Sequence, residues 1–287
     1  MNGTVLVLGA TGMVGGMVAE LLAQRGERVR AASRKLGERL AGQGLDAEWI
    51  EFDFERPETF APALAGVARV FMLARPGDDE PQRVAAPLIA EMRTQGVRRV
   101  VNLTAMGTEL RPDFGLRQVE VLLECSGIGY THLRPNFFMQ IFSGGMLADG
   151  IQRHSVISVP AADARLSFID AADIAAVAAV ALVSDGHEGQ AYTLTGGEAL
   201  THGDVAQEIG RAMNRDVRYV AASEEVARQA MVAAGLSPER AERLINFYRL
   251  VRSGWCSPVT SAVSDLLGRP PMSFGQFARR QAAAGCW

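Results

Sequence analysis

Gly9, Gly12 and Gly15 carry the strongest chemical signal in the chain. They fall within TVLVLGATGMVGGMVAELLAQRG, which reads as a strand, a glycine turn and a helix in immediate succession. Gly9 permits the tight turn, Gly12 lets backbone N–H groups approach a pyrophosphate, and Gly15 lets helix pack closely on strand. The helix start, with Thr11, Met13 and Val14 completing the turn, then turns its partial positive charge toward the phosphates. In this context the spacing predicts a bound dinucleotide. Its type is read at the end of the second strand. An NAD-type site carries an acidic residue there, about 20 residues beyond the glycines, for the ribose hydroxyls. This chain has Ser33, Arg34 and Lys35 instead. A hydroxyl and two cations suit a 2′-phosphate, so NADP(H) is expected over NAD(H), although Arg34 and Lys35 also fit a solvated loop. Asp53, followed by Phe54, ends the third strand. It would sit near the adenine amino group, or else cap the helix beginning at Pro57.

Groups for proton chemistry are sparse. In a Tyr-x-x-x-Lys pair the lysine lowers the tyrosine pKa and the tyrosine protonates a developing alkoxide. Lys35 is the sole lysine, and none of Tyr130, Tyr192, Tyr219 or Tyr248 has a lysine four residues on. Tyr248 and Arg252 share that spacing, but an arginine is too basic to donate a proton. Thr104 stands at the carboxyl end of the fifth strand, where open α/β sheets bind ligands. It is the remaining catalytic candidate, a hydrogen-bond donor but a poor acid. His132 falls inside the sixth strand and reads as a satisfied core histidine. His154, His187 and His202 are scattered, with no metal-type spacing. Cys125, Cys256 and Cys286 form neither a metal-type pair nor an even disulfide set. No metal is expected, and the absence of GxSxG argues against a serine hydrolase.

These residues need elements to position them. Strands are predicted from Thr4, Glu27, Ala47, Arg69, Arg98 and Tyr130, with helices starting near Gly12, Pro57, Pro81 and Phe114. Strands alternating with helices predict an α/β fold with a doubly wound parallel sheet of the Rossmann type. After Phe138 the rhythm changes. A short helical piece, a strand from Ser155, LSFI, and an alanine-rich helix from Asp170 (capped by Asp170 or Asp173) lead to the strand QAYTLTG. Three more helical stretches run to about Trp255, with VRYVAA between the first two, and the tail reads as a turn and a last short helix. Residues 1–150 are therefore expected to form the dinucleotide-binding core. Residues 151–287 are expected to form a small C-terminal α+β substrate lobe, some of whose elements return to the sheet.

Composition narrows the partners. At 287 residues with 48% hydrophobic and 21% charged content, the chain can bury a substantial core. A net charge of −3 leaves no basic footprint for nucleic acid or anionic membrane, so a small-molecule substrate is expected. No apolar stretch is long enough to span a bilayer, and the apolar N-terminus lacks the basic flank of a signal peptide. The three cysteines fit a reducing, cytoplasmic setting.

The glycine motif GATGMVG, then AASRK, VVNLTAMG, SGxxYTxLRPxxFMQ from Ser126, FIDAADIAAVA from Phe168 and a late GRPPMSFGQFA run through nearly the whole chain. In these pieces it resembles the NmrA-like group of atypical short-chain dehydrogenases. That resemblance implies a nicotinamide near Thr104 and the loop after Pro135, with Leu73, Ala74, Arg75, Pro76 and Leu103 lining the cofactor and Asn136 and Phe137 beside it. It implies a substrate against Met106, Asn136, Phe137, Phe138, Met139 and Phe142. Such side chains suit a flat, apolar ring, though Phe138 and Phe142 read equally well as core. Certain reductases of the group place a lysine at the start of the helix before SGxxYT, where this chain has Leu116 flanked by Arg117. An unactivated ketone needs a strong acid or electrophile as hydride arrives. A quinone, conjugated iminium or polarised enone stabilises the added charge itself. The leading expectation is an NADPH-dependent reductase of such acceptors, in secondary metabolism or quinone detoxification. A non-catalytic NADP(H) sensor is the alternative, and a non-redox isomerase or cyclase a third.

Overall fold

A computed structural model describes residues 3–35, 44–75 and 77–287. The chain divides into two compact units, residues 1–135 with 171–194 and residues 136–170 with 195–287. The second unit thus takes up residues 136–150, and the segment 171–194 returns to the first.

The first unit is built on β1 (Thr4–Val7), β2 (Val29–Ser33), β3 (Glu48–Glu51), β4 (Val67–Leu73), β5 (Arg99–Leu103), β6 (Gly129–Pro135) and β8 (Gln190–Leu194). They form one sheet in the order β3-β2-β1-β4-β5-β6-β8, every neighbouring pair parallel. The chain leaves β1 toward β2 and β3, then crosses back to β4, so the order reverses between β1 and β4. At such a switch point the carboxyl ends of the strands open a crevice. Val5, Leu6 and Val7 are fully buried, as expected of a parallel strand covered on both faces. Leu6, Leu8, Val70 and Met72 share a core with Leu88 and Met92 of the helix Gln82–Thr94 and with Val119 and Leu123 of the helix Gly115–Glu124. The helix Met13–Gln24 packs on the alanine-rich helix Ala171–Val183, whose small side chains allow a close approach. The doubly wound parallel sheet expected from the sequence is therefore the fold.

Two buried arginines tie down the opposite, amino-terminal edge of this sheet. Arg99 donates to the carbonyls of Ala181 and Leu182, each at 3.3 Å, and pairs with Asp185 at 3.1 Å and with Glu188. It thereby satisfies carbonyls that a helix end leaves unpaired. Arg69 donates to the Gly3 carbonyl at 2.8 Å and pairs with Glu27 at 2.7 Å.

The second unit carries a two-stranded parallel sheet of β7 (Val156–Val159) and β9 (Arg218–Ala221). Around it lie the helices Gly145–His154, His202–Met213, Glu224–Ala233, Pro238–Arg252, Ala262–Leu267 and Phe274–Ala283. Thr201 and Ser273 open two of these helices with capping boxes completed by Asp204 and Gln276, which satisfies amide donors at each start. Leu166 and Ile169 of LSFI make isolated bridges, to Leu200 and Phe138. One local expectation is corrected. The tail contains a further helix, Ala262–Leu267, which buries only Val263 and has no side-chain cap, so its apolar period is weak. Among the described residues, no helix is long and apolar enough to cross a membrane.

Candidate functional site

The glycine turn meets the steric demands that its spacing implies. Gly9 has a φ of +65°, a left-handed conformation that side chains other than glycine rarely accept. A Cβ on Gly15 would lie 2.3 Å from the Gly9 carbonyl oxygen, and one on Gly12 would lie 3.2 Å from it. The helix Met13–Gln24 starts at Gly12 with no side-chain cap and no acidic residue in its first turn. Thr11, Gly12 and Met13 are exposed, and Val14 and Gly15 are buried beneath them. A turn pressed this close to its helix, with uncapped amides at the surface, fits a dinucleotide diphosphate.

The second strand ends at Ser33, where the sequence places it, whereas the third ends at Glu51, two residues before the expected Asp53. Ser33 is buried at the end of β2 and its hydroxyl donates to the Lys35 carbonyl at 3.0 Å, which holds the two exposed cations Arg34 and Lys35 just beyond the strand. Neither cation has a carboxylate partner among the described residues. Asp53 does not cap the turn Pro57–Thr59. Its Oδ1 accepts from the Glu55 amide at 3.0 Å, and the Thr59 hydroxyl accepts from the Asp53 amide at 3.1 Å.

Phe54, Leu73, Ala74 and Arg75 come together beside Asn102 and Leu116 in a cleft of about 310 Å³, counted to its open mouth. Arg75 is held by Asp78 at 2.8 Å and by Glu55, and both raise its pKa. Pro76 lies outside the described residues. Leu116 lines this cleft with a hydrocarbon side chain, while Arg117 beside it reaches Glu120 at 3.0 Å and Glu124 at 2.6 Å.

Thr104 is buried after β5, its amide donating to the Leu133 carbonyl at 2.8 Å and its hydroxyl to Glu120 at 2.9 Å. Its proton is thus committed to a carboxylate. Glu120 is fully buried and also accepts two bonds from Arg134, at 2.9 and 2.8 Å. Burial is the largest influence on Glu120 and pushes its pKa up. Arg134, His132 and Thr104 together outweigh it and hold the carboxyl below its usual range. His132 is buried as expected, but it is not satisfied. Its Nε2 has no hydrogen-bond partner and lies 3.5 Å from Glu124. Burial depresses its pKa. Glu120, Glu124 and His132 each bring a potential ligand atom within 4.8 Å of the others. Arg117 and Arg134 already occupy both carboxylates with their charge and donors, which makes the cluster an ion-pair network. Sequence reasoning missed it. The available signals were Tyr130, His132 and Arg134 alternating along β6, facing Arg117, Glu120 and Glu124 at helical spacing.

Tyr248 and Arg252 do not work as a pair. Tyr248 is buried, with its pKa pushed up to about 12 by burial. Arg252 donates to the Pro160 carbonyl and pairs with Glu224.

Leu103 is half-buried at the end of β5. Met106, also in the first unit, is half-buried, and its amide donates to the Pro135 carbonyl at 2.9 Å. Asn136, Phe137, Phe138, Met139 and Phe142 follow in the second unit. Asn136 turns inward, donating to the Ser167 hydroxyl at 2.7 Å and the Cys256 carbonyl at 2.8 Å. Met139 and Phe142 are buried, Phe142 in edge contacts with Phe168, His202 and Phe274. Phe137 and Phe138 keep exposed surface. Phe137 stacks on Phe247, a residue the sequence did not single out, with ring centroids 4.9 Å apart and planes at 15°.

A parallel sheet with a glycine turn at its switch point defines a Rossmann-type dinucleotide-binding protein. The model of the NmrA-like family matches residues 1–253, and the chain belongs to that family. It is 35% identical over 288 residues to the NAD(P)H azoreductase of Xenophilus azovorans, with 98% of each chain covered. Two solved structures are similar in fold. The triphenylmethane reductase of Citrobacter sp. complexed with NADP(H) has a TM-score of 0.85 at 22% identity, covering 97% of this chain and 99% of that one. The NADPH-dependent quinone oxidoreductase QOR2 of Escherichia coli complexed with NADPH has a TM-score of 0.85 at 24% identity, covering 96% and 98%.

Proposed function

We propose that this chain is an NADPH-dependent reductase that passes hydride to an electron-poor conjugated or aromatic small molecule of the quinone, enone or imine type. The observation that carries the reading is the glycine turn, where Gly9 is left-handed and Gly12 and Gly15 let the chain press against the Gly9 carbonyl at a helix start with no side-chain cap, a geometry that suits a diphosphate. Likeness to an azoreductase at 35% identity supports the reaction class. The exposed Arg34 and Lys35, with no carboxylate partner among the described residues, favour a 2′-phosphate, hence NADPH over NADH. A reduced nicotinamide coenzyme supplies the hydride when bound. The chain's own part is to bind and orient. The first-turn amides hold the diphosphate, Phe54, Leu73 and Ala74 offer an apolar wall, and Phe137 and Phe138 offer ring surface to the acceptor. Thr104 donates to Glu120, so it has no proton ready for an alkoxide. An acceptor that delocalises the incoming charge needs none at that moment, and alignment suffices.

The test is consumption of NADPH by the purified chain against a panel of quinones, enones and imines. A menadione-like quinone is expected to support turnover. NADPH that binds but is oxidised by no member of the panel would overturn the reductase reading in favour of a dinucleotide sensor.

A further inference from the structure

We propose that His132 is a positioning residue that holds the Asn102 amide with its oxygen toward the cleft, as the acceptor for an amino group of the coenzyme, and that turns this amide over when it takes up a proton. This inference rests on the reading of the chain as a dinucleotide-binding reductase.

Asn102 and His132 lie side by side on β5 and β6, and each is only 1% exposed. Asn102 also lines the cleft shared by Phe54, Leu73 and Ala74. Phe54, Leu73 and Asn102 fall at or near the carboxyl ends of β3, β4 and β5, where an open parallel sheet receives its ligand. The charged members of the cleft, Arg75 and Asp78, are paired with each other. The Asn102 amide is therefore left to give the cleft its polar direction.

Asn102 Nδ2 lies 3.5 Å from His132 Nδ1. An amide nitrogen only donates, so Nδ1 carries the lone pair and the imidazole proton sits on Nε2. Nε2 is the atom without a hydrogen-bond partner, and it faces Glu124 at 3.5 Å. Tyr130 stacks on the ring, with centroids 4.8 Å apart and planes at 25°, and resists its rotation. With its nitrogen toward His132, the amide directs its oxygen away, and among the described residues nothing donates to that oxygen.

A second proton, on Nδ1, would set two donors face to face. The amide then turns over, its oxygen accepting from Nδ1 and its nitrogen facing the cleft. A ligand amino group that bonded the oxygen now meets another donor. Burial opposes the proton on His132 most strongly. Glu120 and Glu124 favour it, Arg134 and Arg117 oppose it, and the balance keeps the pKa below 6.5. The neighbouring strands β5 and β8 set uncharged Asn102 and Ala191 beside the ring. The acceptor is thus presented at neutral pH and withdrawn as pH falls below 6.5.

A nicotinamide coenzyme carries two amino groups, on its carboxamide and on its adenine. The experiment titrates the full chain calorimetrically with NADP+, with its acetylpyridine analogue, which lacks the first, and with its hypoxanthine analogue, which lacks the second. The 2′-phosphate also titrates between pH 7.5 and pH 5, but all three compounds share it, so it cancels in the ratios of Kd. Wild type is expected to bind NADP+ about fivefold tighter than one of the analogues at pH 7.5, and about equally at pH 5. Asn102→Asp, whose carboxylate accepts on both sides, should keep the preference at pH 5. Glu124→Gln should move the midpoint of the loss to lower pH. By NMR, neutral His132 should carry its proton on Nε2, and the Asn102 side-chain amide should shift with the His132 midpoint. A preference that pH does not change, no preference over either analogue, or an Asn102 amide indifferent to His132 would overturn the proposal, while NADP+ binding leaves the dinucleotide reading intact. NADP+ that binds at no pH would defeat that reading itself.

Discussion

Replacing Gly15 by alanine probes the contact on which the proposed cofactor binding rests. The new Cβ would sit 2.3 Å from the Gly9 oxygen, 2.7 Å from the Gly9 carbonyl carbon and 3.0 Å from the Leu8 oxygen. The first contact falls 0.7 Å short of the 3.0 Å below which real Cβ contacts are essentially never found. All three neighbours are backbone atoms, so no side chain can swing aside and the turn must move. Overpacking of this kind costs about 1–3 kcal/mol of stability. A turn displaced by most of an ångström also loses alignment with the diphosphate, weakening NADPH binding at least about tenfold, or 1.4 kcal/mol. Gly16→Ala is the internal control. Its Cβ would meet the Ala10 oxygen at 3.2 Å, tight but within reach of a small adjustment. Urea unfolding and calorimetric titration of NADPH on both variants read the two effects separately. If Gly15→Ala unfolds at the wild-type midpoint and binds NADPH as wild type does, the steric account of the turn is wrong.

Other perturbations test separate parts of the structure. Arg34→Ala should weaken NADPH about tenfold and leave NADH unchanged, and equal effects on the two coenzymes in a titration would remove Arg34 from the 2′-phosphate. Glu120→Gln leaves Arg134 and Arg117 short of a buried counter-charge and should destabilise the fold by about 3 kcal/mol. An unfolding midpoint unchanged from wild type would show that the network carries no such weight. His202 is buried among Phe142, Phe168 and Tyr219, and burial lowers its pKa from 6.5 to about 4. The unfolded chain therefore takes up this proton first. The stability contributed by neutral His202 is complete above pH 6.5, declines as pH falls toward 4 and loses about 3 kcal/mol in all. Unfolding free energies between pH 7 and pH 4 should show that loss in wild type and a smaller one in His202→Phe.

The fold was legible because its signals are local. Apolar strands, a glycine turn and helix starts recur in order from Thr4 to Pro135, and each is encoded within a few neighbouring residues. The same holds for the turn itself, since the need for glycine at residues 9, 12 and 15 follows from backbone geometry. What escaped sequence reasoning depends on residues far apart in the chain. Arg99 reaches a helix end more than 80 residues away, and Phe137 meets Phe247 across a comparable gap. Neither partner is implied by the other's surroundings. Asn136 shows the same limit. Its place in a family motif suggested a ligand contact, while its amide is spent on Ser167 and Cys256. Phe142 could be read as core or as pocket, and only its packing against Phe168 and Phe274 distinguishes the two.

Calorimetric titration of the purified chain with NADPH tests the central claim most directly. Saturable binding at one site per chain, tighter for NADPH than for NADH and weakened in Gly15→Ala, is the result predicted. No heat of binding with either coenzyme would contradict it.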